Sequence, residues 1–393
     1  MTQPSARRTR PTFRTANDID ANRTALHLLD VGLFFCVSFN CAAVCVILNG
    51  NFMKLIFMGT PALAIPFLER LYEEHEIILV VTQPDKPAGR GRTLQAPPLK
   101  AWANEYSIAV AQPERARSED FIAHLQTFQA DAIAVVAFGQ ILPRAILEMP
   151  RLGCLNAHFS LLPRWRGAAP VQHALIAGDT QTGVTIQHMA EKLDAGDIVL
   201  QRQYSIEPHE TTADLWQKLT PIGADALSEA LQLLENGTAT RTPQDESQIT
   251  LAPQLKREDG HLNWRDEAAS IVNRVRGTNP WPGAWTTFAD STIKVWRAQV
   301  EEMSNAAASG AAASGAAASG AAASGAAGKV LAIDANGIVI AAGNGAVRLL
   351  EVQSEGRPRL NAAAWARGSR LERGQFLGET ISTGENAQGI ANV

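Results

Sequence analysis

Asn156 and His158 stand two residues apart at the end of a short apolar run that follows Gly153. If this run is a β-strand, the alternation of side chains places both residues on the same face. An amide donor and an imidazole presented together can stabilise an oxyanion and move a proton. The spacing therefore predicts acyl-transfer chemistry at this strand end.

A carboxylate is the third candidate for a catalytic group, after the Asn156 amide and the His158 imidazole. Residues 184–189 are typical of another strand, and they lead to Asp194, two residues before Gly196 in a predicted turn. The negative charge of Asp194 can orient the His158 ring and favour its protonated form. Because no serine or cysteine is paired with these residues, the pattern indicates transfer without a covalent enzyme intermediate. Each residue alone is more often a turn former or a packing residue, so the prediction depends on their joint occurrence.

Strand-like and helix-like segments alternate from Met53 onward. The predicted strands are 54–58, 77–82, 132–137, one that contains Leu155, and 184–189, and the predicted helices are 62–74 and 118–129. This alternation predicts a doubly wound, mostly parallel α/β sheet, which binds ligands at the carboxyl ends of its strands. No G-x-G-x-x-G follows the first strand, so a dinucleotide is not indicated.

A second, smaller fold is predicted toward the C-terminus. The first domain ends in residues 207–235, which are mostly helical in pattern, with helices at 214–219 and 224–234. After the linker, a further helix is predicted at 268–276. Five short strand patterns follow at 284–288, 292–299, 328–334, 337–341 and 346–352. Short strands at this density predict a small β-barrel of the oligonucleotide-binding kind.

Several motifs in the same order resemble the folate-dependent formyltransferases. The central one is Asn-x-His-x-Ser-Leu-Leu-Pro at 156–163, followed by Leu-Asp-x-Gly-Asp at 193–197. Three further segments, 53–61, 83–92 and 279–284, match as well, so the resemblance extends from Met53 to Gly378. The longer form at 160–170 is similar to the members that act on the methionine of initiator tRNA.

The resemblance implies a reaction and a set of residues. Asn156, His158 and Asp194 would be catalytic and would stabilise the tetrahedral intermediate as an amine attacks directly. The formyl donor would be 10-formyltetrahydrofolate, the acceptor would be the α-amino group of initiator methionyl-tRNA, and no metal would take part. Folate-binding positions would be Ser160, Leu161, Leu162 and Pro163 in one loop, with Phe138, Gly139 and Ile141 around the pterin.

A basic segment resembles the loop that this family presses against the tRNA acceptor stem. It contains Lys86, Arg90 and Arg92 together with two glycines, and it follows the second predicted strand on the active-site edge. A charge run is more often only a solvated face, so position supports the tRNA role more than charge does. A second group of cations lies at 164–166, directly after the predicted folate loop, and has the sequence Arg-Trp-Arg. It could contact tRNA or simply fix its own loop.

Composition shifts divide the chain. We expect an extension outside the fold at 1–52, a catalytic domain at 53–240, a linker at 241–257 and a tRNA-binding barrel at 258–378. The barrel contains a low-complexity Ala-Ala-Ala-Ser-Gly insert at 306–327, and a disordered tail is expected at 379–393. Residues 31–48 form an apolar run, which leaves a membrane or targeting segment as the alternative for the extension.

Composition also limits the possible functions. A net charge of −4 gives no global attraction for nucleic acid, although a local basic patch is enough to bind it. Three of the four cysteines lie within 1–52 and no zinc spacing is present, so a reducing compartment is favoured. We expect a cytoplasmic monomer without stable membrane association.

Two other functions remain open from the sequence. One is a relative that formylates an amino sugar or a purine precursor, although purine-precursor enzymes of this type end after the first domain. The other is a catalytically silent RNA- or folate-binding protein, against which the intact set of Asn156, His158 and Asp194 argues.

Overall fold

The computed structural model describes residues 52–88, 93–289, 291–302 and 326–378. Several predictions concern other residues: Arg90, Arg92, the extension up to residue 51, most of the insert at 306–327 and the tail at 379–393 lie outside the described residues.

A seven-stranded sheet forms the first part of the described chain, in the order β5-β2-β1-β6-β7-β8-β9. Its pairs are parallel from β5 to β7 and antiparallel from β7 to β9. A separate hairpin of β3 and β4 follows β2. These strands are β1 (Lys54–Gly59), β2 (Glu76–Val81), β3 (Lys86–Ala88), β4 (Thr93–Gln95), β5 (Val110–Ala111), β6 (Ala132–Val136), β7 (Cys154–His158), β8 (Gln181–His188) and β9 (Ile198–Ser205).

Helices cover the faces of this sheet, and its central strands are accordingly apolar. Every residue of β6 is buried, as expected for a parallel strand packed on both faces. The helices are α1 (Ile65–Glu74), α2 (Pro98–Glu105), α3 (Glu119–Gln126), α4 (Arg144–Leu147), α5 (Pro170–Ala177) and α6 (Thr212–Glu235). The described helices include none that is long and apolar enough to cross a membrane.

Strand register sets the positions of the candidate residues. In the antiparallel pair of β7 and β8, Asn156 is opposite Gln187 and His158 is opposite Thr185. Residues opposite each other in such a pair present their side chains on the same face. The register therefore places two amide side chains near the histidine, toward the carboxyl end of β7.

Helix α6 corrects the prediction of two separate helices at 214–219 and 224–234. It is one helix of 24 residues that contains Pro221. Gly223 lies where α6 packs on α1, since a Cβ there would come within 2.7 Å of the Phe67 ring. Close helix packing, rather than a turn, accounts for this glycine.

An antiparallel sheet forms the later part, with the strand order β10-β11-β14-β13-β12 and β15 paired to β14. Its elements are α7 (Ala268–Gly277), β10 (Ala284–Phe288), β11 (Ser291–Val300), β12 (Val330–Asp334), β13 (Gly337–Ala341), β14 (Ala346–Ser354), β15 (Leu360–Asn361) and α8 (Ala362–Ser369). This sheet and its helices enclose a second apolar core that includes Trp264, Ile271 and Trp365. The predicted fold class, a mostly parallel α/β sheet followed by a small antiparallel β domain, is confirmed.

Candidate active site

A cavity of about 510 Å³ lies at the carboxyl ends of β6 and β7. The carboxyl ends of strands are where open α/β sheets bind ligands. Among its lining residues are six that the sequence singles out: Asn156, His158, Asp194, Phe138, Gly139 and Ile141. The structure therefore brings the predicted catalytic residues and three of the predicted folate-binding residues into one cavity.

His158 is buried and its ring is held between two acceptors. Its Nε2 lies 2.9 Å from the carbonyl oxygen of Trp165. A carbonyl can only accept, so Nε2 carries a hydrogen and donates it. On the other side of the ring, Nδ1 lies 3.6 Å from Oδ2 of Asp194. Because Nε2 is committed to the loop, Nδ1 is the ring atom available for proton transfer.

The Asp194 carboxylate is oriented through both of its oxygens. Oδ2 accepts from the backbone N–H of Gly167 at 2.9 Å, and Oδ1 accepts from the Gln187 amide at 3.2 Å. The backbone of Asp194 has φ +49°, in the left-handed region that side chains other than glycine adopt at a cost of about 1–3 kcal/mol. Strain of this kind persists only where surrounding contacts hold it, as these hydrogen bonds do here.

Asn156 lines the cavity, and its side chain has no hydrogen-bond partner among the described residues. An unpartnered amide at the wall of a cavity can donate to a ligand oxygen without first breaking an internal bond. The arrangement thus supplies a free donor, a fixed imidazole and an oriented carboxylate.

The loop after β6 is fixed from beneath. The carbonyl oxygen of Phe138 accepts from Thr60 Oγ1 and from Gln83 Nε2, both at 3.1 Å. Gly139 has φ +83°, which lets the loop turn at the mouth of the cavity. Ile141 is exposed at this mouth, where an apolar side chain can cover a flat ligand.

The segment that contains Ser160, Leu161, Leu162 and Pro163 does not line this cavity. Ser160 Oγ donates to the carbonyl oxygen of Arg164 at 2.6 Å, and the Leu162 N–H donates to Thr185 Oγ1 at 3.1 Å. These bonds build the turn that carries the Trp165 carbonyl to His158. The folate role of these four residues stays a prediction, while their contacts support the loop from behind.

The Arg-Trp-Arg group at 164–166 fixes its own loop. Arg164 donates to both oxygens of Asp179, at 2.9 and 2.6 Å, and the Trp165 indole N–H donates to the same carboxylate at 2.7 Å. Arg166 is only 4% exposed, and its Nε donates to Gln244 Oε1 at 3.0 Å. Of the two sequence interpretations, the geometry favours loop fixation.

Of the predicted tRNA residues, only Lys86 lies within the described ranges. It is exposed on β3, and the adjacent Asp85 is held by Lys100 Nζ at 2.9 Å and by Gln112 Nε2 at 2.7 Å. The first strand of this hairpin, β3, ends at Ala88 and the second, β4, begins at Thr93. Residues 89–92 lie between them in the sequence.

Three contributors were missed by the sequence analysis: Gln187, the Gly167 N–H and Gln244. Gln187 could have been found only from the register of β7 and β8, because nothing in the local sequence marks it. Gln244 lies in a polar segment without periodicity, so no sequence signal indicates that it reaches the site. No group of three or more His, Cys, Asp and Glu side chains suited to a metal ion occurs within the described residues.

The formyl transferase family model matches residues 53–231, and the model of the formyl transferase C-terminal domain matches residues 254–370. The chain belongs to the formyl transferase family. It is similar to the methionyl-tRNA formyltransferase of Geobacter metallireducens, with 44% identity over 327 residues that cover 83% of this chain and 99% of the relative. The predicted family is therefore confirmed, and with it formyl transfer as the type of reaction.

Solved structures of other proteins share the fold at low sequence identity. HypX from Aquifex aeolicus, solved in complex with tetrahydrofolic acid, has a TM-score of 0.53 and 18% identity, over 84% of this chain and 51% of HypX. An N-formyltransferase from Helicobacter canadensis, in complex with folinic acid and dTDP-3-aminofucose, has a TM-score of 0.54 and 16% identity, over 77% of this chain and its entire length. At these identities the likeness concerns the fold alone.

Proposed function

We propose that this enzyme transfers the formyl group of 10-formyltetrahydrofolate to the α-amino group of methionine on initiator tRNA. The observation that carries the proposal is the convergence of Asn156, His158 and Asp194 on one cavity. Support comes from the relatives, since the Geobacter metallireducens protein is named for this activity and matches along almost its full length.

The cavity suits a folate-sized donor. Its volume of about 510 Å³ lies within the range of pockets that bind small molecules, and most of its walls are apolar with a few polar groups. Phe138, Gly139 and Ile141 would hold the pterin, and the polar residues on the opposite wall would face the formyl group. The bound donor supplies an activated formyl group, so the enzyme needs no nucleophile of its own.

Each polar residue has a defined role in the transfer. Asn156 donates a hydrogen bond to the oxygen on which negative charge builds as the amine attacks, an interaction worth about 3–4 kcal/mol. His158 takes the proton of the attacking amine through Nδ1 and passes it to the folate nitrogen as the bond between that nitrogen and the formyl carbon breaks, which contributes about 10²–10⁴-fold. Asp194, 3.6 Å away, stabilises the positive charge that the ring gains.

The acceptor is placed by the basic loop at 86–92. Lys86 is exposed on this hairpin, and Arg90 and Arg92 follow it in the sequence. Cations in a glycine-containing loop bind phosphates without reading bases, which suits a contact with the acceptor stem. The later antiparallel sheet would carry the remaining tRNA contacts.

A comparison of acceptors tests the proposal. The purified full chain is incubated with 10-formyltetrahydrofolate and either charged initiator tRNA or a nucleotide-linked amino sugar, and formylated product is measured. We expect formylation of the methionyl-tRNA and none of the sugar. Formylation of the sugar without the tRNA would overturn the proposal in favour of the amino-sugar alternative.

A further inference from the structure

The segment between the two sheets packs along the active-site loop instead of spanning open solvent. We call residues 242–252 the bridging segment. At its start, Thr242 exchanges backbone hydrogen bonds with Ile198 at 2.8 and 2.9 Å. Near its end, the Arg166 N–H donates to the Thr250 carbonyl at 2.9 Å and the Ala252 N–H donates to the Arg166 carbonyl at 2.8 Å. Both ends are thus anchored beside the residues that hold His158 and Asp194.

Gln244 reaches from this segment to the turn that carries Asp194. Its Nε2 donates to the carbonyl oxygen of Asp194 at 2.9 Å and to that of Gly196 at 2.7 Å. Its Oε1 accepts from Arg166 Nε at 3.0 Å. The carbonyls can only accept and the guanidinium can only donate, so the orientation of this amide is fixed by its partners.

We propose that Gln244 is a positioning residue for Asp194, an inference that rests on the proposed function. It touches no reacting atom in this arrangement. It holds two carbonyls of the turn that follows the Cα of Asp194, the residue whose backbone has φ +49°. This backbone conformation directs the carboxylate toward His158 and the Gly167 N–H. Without the amide, two carbonyls lose their donor and the strained turn is free to relax.

The turn has little slack, which makes it sensitive to this residue. A Cβ at Gly196 would come within 1.6 Å of the His188 carbonyl oxygen, so the backbone there is pressed against β8. Because β8 cannot shift to absorb a small rotation of the Asp194 backbone, such a rotation displaces the Asp194 carboxylate instead. Misplacement of a catalytic group by about 1 Å can cost about 10²-fold in rate.

Two substitutions separate positioning from simple packing. Gln244→Ala removes the donor and the acceptor. Gln244→Glu keeps the size and the acceptor for Arg166, but it removes the donor and places negative charge beside two carbonyl oxygens. A packing role predicts that Glu restores function, whereas the positioning role predicts that Glu is no better than Ala. Gln248→Ala is the matched control, since Gln248 is exposed in the same segment and its side chain bonds to Asp245 at 2.8 Å.

Two measurements on the full chain test the proposal. We expect kcat for methionyl-tRNA formylation to fall about 10²-fold in Gln244→Ala and Gln244→Glu, with KM for both substrates within about twofold. The second measurement needs no substrate: hydrogen exchange of the Gly167 amide, which donates to Asp194, should become at least about tenfold faster in both variants. Gln248→Ala should change neither quantity.

The outcomes distinguish this inference from the proposed function. Wild-type kcat for Gln244→Glu, or an unchanged Gly167 exchange rate in both variants, would overturn the positioning role. If the wild-type enzyme fails to formylate methionyl-tRNA, the proposed function fails, but faster Gly167 exchange would still support the link from Gln244 to Asp194.

Discussion

His158 lies between two hydrogen-bond acceptors, the Trp165 carbonyl oxygen and the Asp194 carboxylate. The carbonyl fixes the orientation of the ring, and the carboxylate faces the nitrogen that is available for proton transfer. A neighbouring loop of the same domain thus supplies the orientation that a dedicated side chain supplies in many acid–base sites. The orientation of this ring therefore depends on a backbone atom.

A second histidine, His188, gives a prediction for the dependence of stability on pH. Burial is the main cause that lowers the pKa of His188 to about 4; the nearby Arg241 adds to this lowering and Asp197 opposes it. The unfolded chain binds the proton below about pH 6.5 and the folded chain only below about 4, so stability falls as the pH drops through this window. We expect His188→Gln to remove up to about 3 kcal/mol of this loss.

Urea unfolding of the unsubstituted chain and of His188→Gln, each at pH 7.5 and pH 4.5, measures how much stability each protein loses between the two pH values. Burial also lowers the pKa of His75, so a part of the pH dependence should survive in His188→Gln. The double variant with His75→Gln should flatten it further. An unchanged loss of stability between the two pH values in His188→Gln would contradict a neutral, buried His188.

Individual residues were predictable where they share a local pattern. Asn156 and His158 are two residues apart on one strand, and Asp194 stands in a recognisable turn, so strand alternation and motif were enough. Gln187 and Gln244 depend on antiparallel pairing and on the docking of a segment without periodicity. Such contacts arise from tertiary packing, which no local pattern encodes.

At the scale of elements, the loop between β7 and α5 connects the strand to the site. Asp179 lies just beyond α5 and binds this loop through the Arg164 guanidinium and the Trp165 indole. Because the Trp165 carbonyl holds His158, this carboxylate acts on the site through two successive contacts. The loop is thereby fixed by the element that follows it.

Substitution of Asp179 by Ala should therefore affect stability and rate together. It leaves a partly buried indole N–H and a guanidinium without their acceptor, which costs about 1–3 kcal/mol in the free energy of unfolding. We also expect kcat to fall because the ring of His158 loses its fixed support. Thermal melting and steady-state formylation measure the two effects.

Asp225→Ala is the matched control for this prediction. Asp225 also accepts from an arginine, Arg70 Nε at 3.2 Å, but its side chain is 74% exposed. An exposed pair contributes about 1 kcal/mol or less, so stability and kcat should change little. Equal effects of the two substitutions would contradict a special role for Asp179.

Elements with strong apolar patterns were predicted and weaker ones were not. The strand at 284–288 and the strand at 337–341 have the predicted bounds, and β1 and β6 differ by one residue at an end. Two elements were not predicted: β9, whose residues are mostly half-buried or exposed at the sheet edge, and α8, which is rich in alanine. The two predicted helices at 214–219 and 224–234 are one continuous helix, α6, in which Gly223 packs on α1.

At the scale of the whole molecule, the first described strand follows directly after Met53. Met53 is 1% exposed in the core of the first sheet, and its carbonyl accepts from the Glu76 N–H at 3.0 Å. A chain that starts at Met53 should keep kcat within about twofold and melt as the full chain does. A chain that starts at Thr60 loses β1 and should not fold. Loss of activity in the Met53 chain would show that residues 1–52 contribute to function.

Binding of tRNA should depend on salt through the basic loop. Replacing Arg90 and Arg92 by Ala should raise KM for tRNA and reduce the slope of log K against log salt by about 0.7–0.9 for each phosphate that the loop no longer neutralises. KM for the folate donor should hardly change, because the predicted pterin residues lie in the cavity at β6 and β7. A rise in the folate KM with an unchanged tRNA KM would assign the loop to the folate site.

The most direct test of the account is the single-turnover rate of methionyl-tRNA formylation with both substrates saturating. We expect His158→Ala and Asn156→Ala each to lower this rate by at least about 10²-fold, with melting temperatures close to that of the unsubstituted chain. Saturation removes effects on binding, so the change reports on the chemical step. A near-normal rate in His158→Ala would contradict the assignment of this cavity as the site of formyl transfer.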